Sequence, residues 1–77
     1  MVGSSLAYDP EMAALTAKEL EILKWIKHGK SNGEISEIVA VSVKTIEYHV
    51  ANIFRKLGAS NRTAAVVIAI QNKLLAL

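Results

Sequence analysis

Helix-start signals recur at short intervals along this chain and leave room between them for little except helix. Thr16-Ala17-Lys18-Glu19 and Ser31-Asn32-Gly33-Glu34 both have the capping-box pattern. In that pattern the hydroxyl accepts from the third helical N–H, while the glutamate accepts from the cap's own N–H. Ser42 and Ser60-Asn61 supply two further N-caps, and Gly29 and Gly58 supply stops. Apolar residues follow the caps at helical spacing: Leu20, Leu23 and Ile26 with Trp25 beside them, then Ile35, Ile38 and Val39, then Ile46, Val50, Ile53 and Leu57. The spacing predicts helices over 17–28, 32–39, 43–57 and 61–74. Pro10 is the only proline, and no hairpin signal interrupts the pattern. The expected fold is all-α, a four-helix domain.

The chain has 77 residues, enough for one small domain and too few for a multi-domain enzyme with a large cleft. We place this domain at 15–77. Residues 1–14, with Gly3-Ser4-Ser5 and Asp9-Pro10, read as a flexible tail or linker remnant, with a short helical turn after Pro10 left open. There is no cysteine, which excludes disulfides and thiolate metal sites. A hydrophobic content of 52% is too high for a disordered segment. The longest unbroken apolar run, 64–70, falls far short of the ~20 residues of a membrane span. No signal-peptide pattern opens the sequence, so a cytoplasmic protein without a membrane partner is expected.

The two histidines, His28 and His49, lie on different predicted helices with no carboxylates at a metal spacing. His28 reads as a solvated residue near the end of helix one, and His49 as packing on the inner edge of helix three. The serines and threonines sit at predicted caps, without the base and orienting group that a nucleophile needs. Gly29, Gly33 and Gly58 sit at helix ends and form no phosphate loop. No catalytic, metal or cofactor site is expected.

The stretch from Ser31 to Leu57 carries the functional signal. A short capped helix, a tight turn and a longer capped helix make a helix-turn-helix geometry. The short helix holds the long one at a fixed angle and leaves it a free face. That face carries Lys44, Glu47, Tyr48 and Ala51, with Arg55 one turn on. Lysine can reach a phosphate or guanine, glutamate can accept from cytosine N4, and alanine or a tyrosine ring can meet a thymine methyl. Ser31, Asn32, Ser42 and Thr45 stand near helix N-termini, whose free N–H groups bind phosphates. Arg55, Lys56 and Arg62 add positive charge on the C-terminal side. The net charge is only +2, but residues 1–43 carry −2 and residues 44–77 carry +4. This asymmetry suits a polyanion partner for the second half. A helical protein-interaction module remains the competing reading of such a face.

Helix four has more apolar surface than one face of a small domain can bury. Val66, Val67, Ile68, Ile70, Leu74, Leu75 and Leu77 crowd its length. A surplus of this kind marks an interface, and we expect a symmetric homodimer through Val66, Val67, Ile70 and Leu74.

From Leu15 to about Leu74 the chain resembles the LuxR/GerE-type DNA-binding domain of bacterial transcription regulators. The resemblance rests on the runs 15–23 (LTAKELEIL), 29–35 (GKSNGEI), 42–58 (SVKTIEYHVANIFRKLG) and 61–64 (NRTA). It implies a tetrahelical effector domain that pairs through its last helix, binds operator DNA, and can take RNA polymerase as a further partner. It also implies base reading chiefly from the positions of Glu47 and Ala51, with Lys44 and Tyr48 adjoining. Many relatives place a basic residue at one of those two positions, so operator preference does not carry over. Ala40 stands where glycine or a small polar residue is common. Trp25, Gly29-Lys30-Ser31 and Glu34-Ile35-Ser36 resemble the quorum-sensing branch. A sigma-factor-like promoter reader is the remaining alternative among helix-turn-helix proteins.

Overall fold

The computed structural model describes residues 15–77. The expectations for 1–14 lie outside the described residues. Four helices follow in order: α1 (Ala17–Lys27), α2 (Asn32–Val39), α3 (Val43–Leu57) and α4 (Arg62–Gln71). None is long and apolar enough to cross a membrane.

Each helix begins at a residue with extended backbone whose side-chain oxygen accepts from an N–H three residues on. These caps are Thr16, Ser31, Ser42 and Asn61. At Thr16 and Ser31 the reciprocal bond is also made, with Glu19 and Glu34 accepting from the cap N–H at 2.9 and 2.8 Å. Within two residues of its end each helix is followed by a residue in the left-handed region: Gly29, Ala40, Gly58 and Lys73. At Gly29 the backbone N–H groups of Gly29 and Lys30 reach back to the carbonyls of Ile26 and Trp25. That pattern satisfies carbonyls that would otherwise be left open at the helix end.

α3 is the central element and packs on all three other helices, while α4 packs on α1 and α3. The core collects Ile22, Leu23 and Ile26 of α1, Ile35 of α2, Ile46, Val50, Ile53 and Leu57 of α3, Ala65 and Ala69 of α4, and Leu75 beyond it. The four-three-four step along α3 is therefore its buried stripe. The long helix can bury so complete a stripe because it is flanked on several sides.

Two expectations are corrected. The helical spacing groups Ile38 with Ile35 and Val39 on one buried stripe, but Ile38 is 44% exposed. α2 has only 8 residues, and Ile35 and Ser36 are the ones it buries. Helix four ends at Gln71 rather than 74. The Asn72 side-chain amide donates to the Ile68 carbonyl, Lys73 takes φ 62°, and the Leu74 N–H donates back to the Ala69 carbonyl. The reversal lets Leu75 enter the core. Trp25 packs half-buried against the edge of the core, with its ring tilted against His28 at a centroid distance of 6.1 Å.

Candidate nucleic-acid interface

The burial of Ile46, Val50, Ile53 and Leu57 decides which way the rest of α3 faces. Lys44, Glu47, Tyr48, Ala51 and Arg55 are all exposed. Tyr48 stands out at 66% exposure, an unusual degree for a large ring on a well-packed helix. Its ring meets His49 edge-on at 5.7 Å. Arg55 donates to Asn52 Oδ1 at 3.1 Å, a surface bond that leaves most of its donors free. All four side chains expected to read bases thus share one polar face with Arg55.

The residues expected near phosphates divide into two groups. Ser31, Ser42 and Thr45 lie at the starts of α2 and α3. Ser42 Oγ accepts from the Thr45 N–H at 3.1 Å and lies 2.9 Å from Thr45 Oγ1. These hydroxyls hold the helix starts in shape, beside backbone N–H groups suited to anions. The Ser31 N–H bonded to Glu34 keeps that carboxyl below its usual range, outweighing a smaller effect of burial.

Lys56 and Arg62 are instead engaged within the protein. Lys56 Nζ donates to Glu19 Oε1 at 2.8 Å, tying α3 to α1 across 37 residues of sequence. Glu19 is 3% exposed. Burial would raise its pKa, but the bonds from Lys56 and the Thr16 N–H, with the nearby positive charge, bring it below the ordinary value. Arg62 donates through Nη1 to Asn32 Oδ1 at 2.8 Å and through Nη2 to the Lys30 carbonyl at 2.7 Å. Asn32 is therefore held by α4 as well as standing at the start of α2. Neither link is legible as a contact in the sequence, because spacing carries no information about partners 30 or 37 residues away.

α4 offers a second surface. Its core face is made of small residues, Ala65 and Ala69. Val66, Ile70 and Leu74 are half-buried, and Val67 is 46% exposed. Val66 and Val67, together with Thr63, Arg62, Ile26 and Lys27, line an open groove of about 220 Å³ between α4 and the end of α1. Of the four apolar residues expected at a dimer contact, Val66, Val67 and Ile70 lie on the flanks of α4, and Leu74 lies in the turn past its end.

The sequence matches the family described as bacterial regulatory proteins, luxR family, over residues 13–69. It is 48% identical over 61 residues to the transcriptional activator protein BjaR1 of Bradyrhizobium diazoefficiens, covering 79% of this chain and 25% of that protein. It is equally 48% identical over 61 residues to the transcriptional regulatory protein LiaR of Bacillus subtilis, covering 79% of this chain and 29% of that one. The chain thus spans between a quarter and a third of the length of these relatives. The fold is similar to the crystal structure of the response regulator ChrA of a heme-sensing two-component system. There the TM-score is 0.79 at 40% identity, over 80% of this chain and 31% of that one. With four helices among the described residues, a helix-turn-helix at α2 and α3, and this match over most of its length, the chain belongs to the luxR family of bacterial transcription regulators, as its DNA-binding domain.

Proposed function

We propose that this domain is the C-terminal effector part of a longer regulator and binds a specific double-stranded DNA operator through α3. The observation that carries the reading is the division of α3 into a fully buried apolar stripe and a free face bearing Lys44, Glu47, Tyr48, Ala51 and Arg55. α3 enters the major groove, and α2 buttresses it. Glu47 accepts from a cytosine N4, Ala51 and Tyr48 meet apolar base edges, and Lys44 reaches a guanine or phosphate. Ser31, Asn32, Ser42, Thr45 and Arg55 fix the register on phosphates. Lys56 and Arg62, whose charged groups have partners inside the protein, stand at the border of this set.

Two copies pair through α4 and the turn that follows it, with Val66, Val67, Ile70 and Leu74 at the contact. The pair reads half-sites about one helical turn apart, roughly 10 bp. The parent protein works in the cytoplasm, can contact RNA polymerase from the bound operator, and belongs to the quorum-sensing branch.

Selection from a pool of random duplexes at moderate salt tests this function. Enrichment of a two-fold symmetric motif is the expected result, with an affinity that falls as salt rises by a log–log slope of about 0.9 per phosphate neutralised. Absence of any salt-sensitive duplex binding contradicts it.

A further inference from the structure

Arg62 occupies an unfavourable place for a cation. It is the first residue of α4, at the positive end of that helix's dipole. What stabilises it there is outside α4. Its guanidinium bridges the Lys30 carbonyl, just past the negative end of α1, and Asn32 Oδ1, at the first residue of α2. The bridge has a chemical consequence for Asn32. An asparagine amide has an accepting and a donating end. With Oδ1 held by Arg62, the Nδ2 donors are the end left available at the start of α2. Only that end can bind a phosphate oxygen.

We infer that Arg62 is a positioning residue for DNA binding: it orients the Asn32 amide so that its NH₂ group meets a phosphate, and it locks the start of α2 to α4. This rests on the proposed DNA-binding function. The bridge joins the helix with the exposed apolar surface to the helix-turn-helix, so the two surfaces share one rigid connection.

The test uses the whole chain, a mixed-sequence DNA duplex two helical turns long, and a series of salt concentrations. Arg62→Met removes all the donors at similar length. It is expected to weaken binding about tenfold, as loss of a charged hydrogen bond does, while leaving the slope of log affinity against log salt unchanged. In an Asn32→Ala background the same change is expected to cost less than about twofold, because the group it positions is gone. A slope reduced by about 0.9, or a loss that simply adds to that of Asn32→Ala, overturns the inference in favour of direct phosphate contact.

Arg62→Lys guards against a folding defect. It keeps the charge but cannot bridge two acceptors in a fixed plane, and is expected to stay weakened about fivefold. Binding equal to that of the unaltered chain overturns the inference. A separate arm needs no DNA: the side-chain amide NMR signals of Asn32 should shift and broaden in Arg62→Lys. Unchanged Asn32 signals overturn the inference even where duplex binding by the unaltered chain is normal. Loss of duplex binding by the unaltered chain itself strikes the proposed function instead.

Discussion

α3 and α4 are neighbouring helices of the same domain, yet they divide their surfaces in opposite ways. α3 buries large side chains, Ile46, Val50, Ile53 and Leu57, and leaves a polar face in solvent. α4 buries small ones, Ala65 and Ala69, and leaves valines and isoleucines on its flanks. The α3 free face suits a wet, charged groove in a partner. The free face of α4 gains by being covered with apolar surface. Hydrophobicity alone does not distinguish inside from outside here. Residue size does so on α4, where two alanines one turn apart allow close approach to the core.

Altering the buried stripe of α3 should have the largest effect. Ile53 is fully buried on the central helix, so Ile53→Ala should cost about 2–5 kcal/mol in urea unfolding. A loss below about 1 kcal/mol would mean that α3 is not the hub of the core. Val67→Glu tests the opposite case. The side chain is already 46% exposed, so folding stability should change by less than about 0.5 kcal/mol. Self-association should weaken about tenfold or more, because a dimer contact would bury an unpaired carboxylate. Unchanged sedimentation together with an unchanged DNA footprint would remove α4 from the interface.

Short-range features are legible in the sequence and long-range ones are not. Caps and glycine stops are local, and Thr16, Ser31, Ser42, Asn61, Gly29 and Gly58 all act as the sequence suggests. The polar face of α3 is equally local, since the 3.6-residue period places it opposite the core stripe. Ala40 and Lys73 take left-handed conformations that neither residue type announces. Tertiary packing imposes them, most clearly where the chain reverses so that Leu75 can enter the core. Ile38 misleads because a two-turn helix touches the core through too narrow a strip to bury three apolar positions. The Glu19–Lys56 and Arg62–Asn32 bonds were invisible because both are long-range.

On α1, Glu19 gives α3 a polar anchor in addition to its stripe, through its bond to Lys56. Glu19→Gln should destabilise the domain by about 1–3 kcal/mol near neutral pH. The folded-state pKa of Glu19 lies below its ordinary value of 4.5, so its stabilising contribution is fully present above 4.5 and is lost as pH falls through the lower folded value. The Glu19→Gln variant should therefore lose less stability than the unaltered chain over that acidic range. Parallel acid-unfolding curves would contradict the role. A smaller gain in stability is expected at the α2–α3 turn. Ala40 sits at φ 61°, where glycine carries no steric cost, so Ala40→Gly should stabilise by about 0.5–1 kcal/mol. A destabilisation measured by thermal melting would mean that the turn is held differently.

The most direct test of the polar face of α3 as the surface that reads DNA is a comparison of base-preference profiles, by duplex selection, for the unaltered chain and Glu47→Ala. Glu47 is exposed on that face and plays no part in the core. The expected result is relaxed discrimination at one base pair in each half-site, by about 1–3 kcal/mol, with the rest of the profile intact. An identical profile for the two proteins would contradict it.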